Sequence, residues 1–114
     1  MLFQVTIDHS WANEQLRYNK ISTKEAKKHK WKNVIMRALG SQKSILPEFN
    51  HLDVSKGDKF VICSDGLSDM VPERTIARVL TKYSESQKIS NVLLDYALKK
   101  GGYDNITIIT VQVV

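Results

Sequence analysis

The stretch Phe60-Val61-Ile62-Cys63-Ser64-Asp65-Gly66-Leu67-Ser68-Asp69 decides the fold, because an apolar run ends there at an acidic residue and a glycine. Such a run predicts a buried strand, which we expect over residues 59–64. Asp65 then stands at the strand end, where Gly66 lets backbone, water or a substrate approach closely. A carboxylate in this place suits a hard cation, although Asp-Gly after a strand is also a common turn.

A second carboxylate stands in a comparable place near the end of the chain. Gly101-Gly102-Tyr103-Asp104-Asn105-Ile106-Thr107 follows an apolar helical stripe and precedes a closing strand that we expect over residues 106–114. The two glycines predict the end of that helix. Two carboxylates of this kind in one small domain predict that distant segments converge on Mg²⁺ or Mn²⁺.

Around these motifs the sequence predicts further helices and strands. Residues 2–7 are β-prone and predict a strand, followed by a helix over 11–18 that Ser10 or Asp8 caps. A capping box at Ser22 predicts a helix to about His29, and residues 33–39 predict another. Pro72 fits the first turn of one longer helix, and Ser84-Glu85-Ser86-Gln87 offers a capping box for a second. Their apolar stripes are Ile76, Val79, Leu80 and Tyr83, and then Ile89, Val92, Leu93, Tyr96 and Ala97. This order is typical of an α+β fold.

Length and composition indicate one soluble domain. The chain has 114 residues, of which 42% are hydrophobic and 25% charged. No apolar run approaches the length of a membrane span, so no membrane partner is expected. The single Cys63 cannot form an internal disulfide, which is consistent with a reducing, cytoplasmic setting. Its place in an apolar run predicts an inert, buried thiol.

The formal net charge is +5. Much of the excess positive charge lies in one basic stretch, and we interpret this stretch first as a solvated helix face and loop. No zinc-finger spacing or other nucleic-acid signature accompanies it, so no nucleic-acid partner is expected. Attraction of phosphorylated or acidic protein partners stays open as a third interpretation. The basic residues of this stretch are Lys20, Lys24, Lys27, Lys28, Lys30, Lys32 and Arg37.

Four segments in order, residues 6–10, 37–40, 63–69 and 101–107, carry a resemblance over nearly the whole chain. Together they resemble the metal-dependent protein serine/threonine phosphatases of the type 2C, or PPM, family, most closely bacterial members. The resemblance implies part of a four-layer α-β-β-α sandwich, with antiparallel sheets and two long helices. It also implies hydrolysis of phosphoserine and phosphothreonine in proteins by a water that bridges two Mn²⁺ or Mg²⁺ ions.

The resemblance assigns roles to individual residues. Asp65 and Asp104 match metal ligands, and Asp8 matches a carboxylate that helps to hold a third, weaker ion in bacterial members. Asn105 and Gly66 support these ligands, Asn105 by orienting Asp104. Residues from about 22 to 42 match the variable flap beside the active site. No residue of this chain matches a catalytic acid, base or nucleophile.

The resemblance extends only to the C-terminal part of the family's catalytic domain. Its first part supplies an arginine for the phosphate and an aspartate that bridges the metals, and neither has a match here. We therefore expect residues 1–114 to be a C-terminal fragment that is inactive alone, with a missing N-terminal half or a second copy as its partner. Phosphorylated proteins are the implied substrates. The alternative is a non-catalytic, phosphatase-like binding or regulatory module.

A fragment of this kind is expected to expose apolar surface and to associate through unpaired strand edges. The side chains expected to be uncovered are Leu2, Val5 and Ile7, or Ile106 and Ile108.

Overall fold

The computed structural model describes all of residues 1–114 and divides them into two compact units. One unit contains residues 1–2 and 52–114 and is called the core unit below. The other contains residues 3–51 and is called the basic unit. Each unit is described separately.

The core unit contains a two-stranded antiparallel sheet of β1 (Lys59–Cys63) and β2 (Ile108–Gln112). Lys59 pairs with Gln112 at one end and Cys63 with Ile108 at the other. Both predicted strands are therefore present, though each is shorter than expected. Gly57, with φ +95°, forms the turn before β1, where most other residues would be strained.

Three helices complete the core unit: α3 (Asp65–Ser68), α4 (Glu73–Lys82) and α5 (Ser86–Lys99). Pro72 occupies the N-cap position directly before α4, one residue ahead of the first turn in which it was predicted. The capping box predicted for α5 is wrong, because Glu85 occupies the cap position and no side chain caps the helix. The end of α5 is as predicted, since Gly101 (φ +127°) and Gly102 (φ +55°) turn the chain out of the helix.

The apolar stripes of α4 and α5 form the hydrophobic core, as predicted from their spacing. Tyr96 is the exception, because 37% of its surface stays exposed. The ammonium of Lys59 closes the C-terminal end of α4 by donating to the carbonyls of Leu80 and Tyr83, both at 2.7 Å. The buried core residues are Leu67, Val71, Ile76, Val79, Ile89, Leu93 and Ala97.

Only one face of the sheet is covered. Val61 and Ile108 pack against the helical core, whereas Ile62 and Ile109 are 60% and 52% exposed. Successive strand residues point to opposite faces, so a two-stranded sheet with helices on one side buries alternate positions. The prediction of a fully buried strand is therefore wrong. So is the prediction of a buried Cys63, since burial falls away at the C-terminal end of β1 and this residue is exposed.

The side chains expected to be uncovered are only partly so. Val5 and Ile7 are exposed, as predicted. Leu2, Ile106 and Ile108 are instead half-buried and pack against the core. Ile108 is half-buried because side chains alternate along β2. Its neighbour Ile109 therefore points to the open face.

The basic unit contains two short helices, α1 (Trp11–Arg17) and α2 (Thr23–Lys28), as predicted. The Ser10 hydroxyl caps α1 by accepting from the Asn13 amide. Ser22 and Glu25 form the predicted capping box of α2. Beyond α2, the rings of Trp11, His29 and Trp31 contact one another, with centroids 4.3 to 5.7 Å apart.

Two predicted elements of the basic unit are absent. Residues 2–7 form no strand, because a strand needs a hydrogen-bonding neighbour and none pairs with them. Residues 33–39 form turns and a single β-bridge between Ser10 and Ile35 instead of a helix. There the Val34 carbonyl accepts from the Trp11 amide at 2.8 Å, and the Met36 amide donates to the His9 carbonyl at 2.7 Å. These bonds engage the backbone groups that a helix would need.

The architecture confirms the predicted α+β class, with antiparallel strands and two longer helices, α4 and α5. None of the helices has the length and apolar character needed to cross a membrane.

Candidate functional site

The two strand-end motifs meet in the core unit, and Ser64 joins them. Its hydroxyl donates to the Asn105 carbonyl at 3.0 Å and accepts from the Thr107 amide at 3.0 Å. Its backbone amide donates to the Thr107 carbonyl, also at 3.0 Å. The segment that follows β1 is thereby fixed to the segment that precedes β2. We call this contact between residues 64–66 and 104–107 the junction.

Gly66 makes the junction as close as it is. A Cβ atom at this position would lie 2.2 Å from the Asn105 carbonyl oxygen and 3.0 Å from the carbonyl carbon. It would also lie 3.1 Å from the Ile106 side chain. Since real Cβ atoms do not approach backbone oxygens so closely, only glycine fits here without a shift of the chain. The sequence indicated a close approach at Gly66, and the group that approaches is the backbone of Asn105.

The two candidate ligands lie within this junction. Asp65 lies between Ser64 and Gly66 as the first residue of α3, and it is exposed. Asp104 is also exposed, and its Oδ1 atom accepts from the Asn105 backbone amide at 2.7 Å. This bond comes from the main chain of Asn105 and not from its side chain. The structure places both carboxylates on segments that contact each other directly.

The donor chemistry of the junction fits a hard cation. Its side-chain oxygens are carboxylates open to solvent, and Mg²⁺ and Mn²⁺ prefer such oxygens and keep several waters. No group of three or more His, Cys, Asp or Glu side chains in the structure is arranged to hold a metal ion. The two carboxylates thus fit a metal that takes the rest of its ligands from water or from other groups. They do not fit a structural zinc site, which needs four protein ligands.

Asp8 lies in the basic unit, in the segment that leads into α1. It is exposed, and its carbonyl accepts from the Asn13 side-chain amide at 3.1 Å. The next residue, His9, contacts the Glu48 carboxylate at 3.1 Å and the Arg37 guanidinium at 3.4 Å through its Nε2 atom. No sequence pattern indicates this cluster, because Glu48 stands in no motif and is distant along the chain.

The junction also depends on residues that the sequence did not mark for a role at the site. Ser64 was interpreted only as a residue at the end of a strand, and Thr107 only as the start of the next. Both stand inside the two motifs, so the motifs were the available signal. What the sequence could not show is that one hydroxyl spans both segments.

Comparison with known proteins identifies relatives of this chain. The profile of the family Protein phosphatase 2C matches residues 20–106. The serine/threonine phosphatase stp of Listeria monocytogenes is 35% identical over 112 residues, which are 98% of this chain and 44% of that protein. The protein phosphatase PhpP of Streptococcus pneumoniae is 33% identical over 96% of this chain and 44% of its own length. The chain therefore spans less than half the length of these relatives.

Solved structures agree with this result. The serine/threonine phosphatase of S. agalactiae superposes with a TM-score of 0.88 at 35% identity, covering 96% of this chain and 45% of that one. The catalytic domain of PstP, solved in complex with two manganese ions, has a TM-score of 0.83 at 32% identity and covers 100% and 46%. These matches confirm that the chain has part of the fold of these phosphatases.

Proposed function

The chain belongs to the protein phosphatase 2C family, and on that premise we propose that it forms part of a metal-dependent protein serine/threonine phosphatase. Asp65 and Asp104 bind Mn²⁺ or Mg²⁺ in this proposal. The observation that carries it is the junction, where Ser64 and Gly66 hold the two carboxylate-bearing segments against each other. The manganese ions in the related PstP structure support the choice of metal.

Each residue of the junction has a distinct task in this proposal. Asp65 and Asp104 supply oxygen ligands, and the Asn105 amide keeps the Asp104 carboxylate in one orientation. Ser64 sets the spacing of the two segments, and Gly66 allows that spacing to be short. Two bound ions would activate a water for attack on phosphorus and neutralise the phosphate oxygens. Asp8 would contribute to a third, weaker ion.

We further propose that residues 1–114 are the C-terminal part of a single catalytic domain, with residues 22–42 as its flap. The limited coverage of the relatives supports this assignment. So does the junction, which offers two carboxylates where a binuclear centre needs more. The remaining ligands and a phosphate-binding arginine would come from the rest of that domain. The isolated chain is then inactive, its substrates are phosphorylated proteins, and its one cysteine supports a cytoplasmic setting.

Isothermal titration with Mn²⁺ tests the proposed ligands. We expect weak binding to the chain and no measurable binding after Asp65→Asn or Asp104→Asn, because each removes half of the carboxylate set. Asp53→Asn is the matched control, since Asp53 is an exposed carboxylate outside the junction. Binding that persists in the double variant Asp65→Asn with Asp104→Asn would show that the metal is held elsewhere.

A second candidate function is that of a non-catalytic binding or regulatory module. The open face of the sheet favours it, since Ile62, Ile109 and Val111 are exposed side by side across the two strands. Such a face is typical of a surface that another protein surface covers. Sedimentation at micromolar concentration, together with a chromogenic phosphate ester assay in excess Mn²⁺, separates the two candidates. For the chain joined to the rest of a catalytic domain, turnover that depends on Asp65 excludes the module, whereas association without turnover favours it.

A further inference from the structure

The formal charge of the chain is divided unequally between its two units. The basic unit contains nine Lys and Arg residues and four Asp and Glu residues, whereas the core unit contains eight of each kind. The whole excess of +5 therefore belongs to residues 3–51. A local excess of this size creates a positive field, since nothing within the unit neutralises it.

The excess of positive charge is concentrated in seven lysines, which we call the lysine surface. All seven are exposed, and none takes part in an ion pair, because the ion pairs of the structure are His9–Glu48 and Lys99–Asp95. The one acidic residue between positions 20 and 43 is Glu25. Its carboxylate accepts from the Ser22 amide at 2.6 Å and is occupied in the helix cap. The lysine surface consists of Lys20, Lys24, Lys27, Lys28, Lys30, Lys32 and Lys43.

Three of these lysines share one face of α2. Lys24 lies three and four residues before Lys27 and Lys28, so their charges are neighbours on the helix and repel one another. Lys27 and Lys28 stand in the last turn, where the helix dipole favours cations, but Lys24 stands in the first turn, where it does not. The stability of the helix therefore does not explain all three charges.

The surroundings of the lysine surface indicate the class of its ligand. An anionic membrane would need an apolar helix face beside the lysines, but the one apolar residue of α2, Ala26, is buried. Nucleic-acid bases would need open aromatic faces for stacking. The Trp31 ring meets Trp11 edge-on at 5.3 Å and has the Lys30 ammonium 5.3 Å from its centre, so the 48% of this residue that stays exposed is shared with a cation. Flexible, exposed ammonium groups without acidic neighbours suit carboxylates on a polypeptide.

We propose that the lysine surface binds acidic segments of other proteins. Resting on the proposed function, it would draw in phosphoproteins that contain acidic segments. Complementary charge raises the rate of encounter and favours acidic partners over neutral ones, and the effect weakens as salt screens the charges. The lysine surface thus favours acidic substrates over neutral ones.

Fluorescence anisotropy with two labelled, unphosphorylated peptides tests the proposal. One peptide contains a run of Asp and Glu, and the other has Asn and Gln in the same places. We expect the acidic peptide to bind, and its affinity to fall about tenfold in the triple variant Lys24→Gln, Lys27→Gln, Lys28→Gln. The matched control removes three exposed, unpaired lysines of the core unit through Lys56→Gln, Lys88→Gln and Lys100→Gln. It should change the affinity by less than about twofold.

Two further arms complete the experiment. Substitution of the same three α2 lysines by arginine should keep binding, because charge and not the ammonium group is what matters. Equal losses in the triple variant and its control would overturn the proposal, because the effect would then be one of net charge alone. Tighter binding of phosphatidylserine vesicles or of a single-stranded oligonucleotide than of the acidic peptide would overturn it as well. The assay involves no metal and no hydrolysis, so its outcome is independent of the Mn²⁺ titration.

Discussion

Replacement of Gly66 by alanine is the sharpest test of the junction. Gly66 lies inside α3 and does not have a positive φ. Alanine within a helix is ordinarily stabilising relative to glycine, by roughly 0.5–1 kcal/mol. The contact at Gly66 predicts that alanine here lowers the stability of the fold, because the new methyl group would lie 2.2 Å from the Asn105 carbonyl oxygen. A backbone atom cannot rotate away as a flexible side chain does, so one of the two segments must shift.

The size of the effect follows from the contacts. Forcing one extra methyl group into a packed place costs about 1–3 kcal/mol, and the higher helix propensity of alanine offsets part of this cost. We expect Gly66→Ala to lower the free energy of unfolding by about 1–2 kcal/mol, or the melting temperature by about 5–15 °C. The shift also moves Asp104 relative to Asp65, so Mn²⁺ affinity should fall by about tenfold or more.

Urea denaturation followed by circular dichroism measures the first effect, and Mn²⁺ titration measures the second. Ser68→Ala serves as the control, since Ser68 is an exposed residue of the same helix and its loss should change stability by less than about 0.5 kcal/mol. A Gly66→Ala variant as stable as the wild type, with unchanged Mn²⁺ affinity, would show that the close approach of the two segments is not required.

Three further outcomes are expected. Ser64→Ala removes two hydrogen bonds to residues 105–107 and should lower the free energy of unfolding by about 1–2 kcal/mol in urea denaturation, where an unchanged midpoint would contradict the bridging role. Lys59→Met keeps the length of the side chain but removes two bonds to carbonyls at the end of α4, so amide exchange should quicken in that last turn and not in α5. Hydrogen bonds from the amide and hydroxyl of Ser22 hold the pKa of Glu25 below its ordinary value of 4.5. The capping box is therefore intact above pH 4.5 and is lost as the pH falls through the lowered pKa, which a carboxyl NMR titration would show and Glu25→Gln would abolish.

The sequence predicted best where the signal is local. Helix spacing alone identified α4 and α5 together with most of their buried side chains. The capping box at Ser22 located α2, and paired glycines located the end of α5. In each case residues within one or two turns determine the conformation, so no tertiary information was needed.

Errors arose where the conformation depends on a distant partner. Residues 2–7 have the composition of a strand, yet a strand exists only beside another, and none pairs with this segment. Residues 33–39 have helical spacing, but their backbone hydrogen bonds go to His9 and Trp11. Burial of β1 was overestimated because the number of covered sheet faces is not a property of the strand itself.

At the candidate site, too, local features were predicted from sequence and distant contacts were not. The motifs identified Asp65, Asp104 and Gly66 as residues to examine, since their chemistry is local. The hydroxyl of Ser64 joins segments more than forty positions apart, and a contact at that separation has no signature in sequence. The motifs therefore indicated which residues matter, and the structure shows how two of the segments meet.

In the proposed function, Asp65 and Asp104 belong to one metal site. The most direct measurement is paramagnetic broadening by Mn²⁺ of the amide signals of the ¹⁵N-labelled chain, with Mg²⁺ as the diamagnetic reference. Substoichiometric Mn²⁺ should broaden residues 64–67 and 104–107 together, and Asp65→Asn should remove the broadening from both segments. Broadening of one segment without the other, or broadening centred elsewhere in the chain, would contradict the claim.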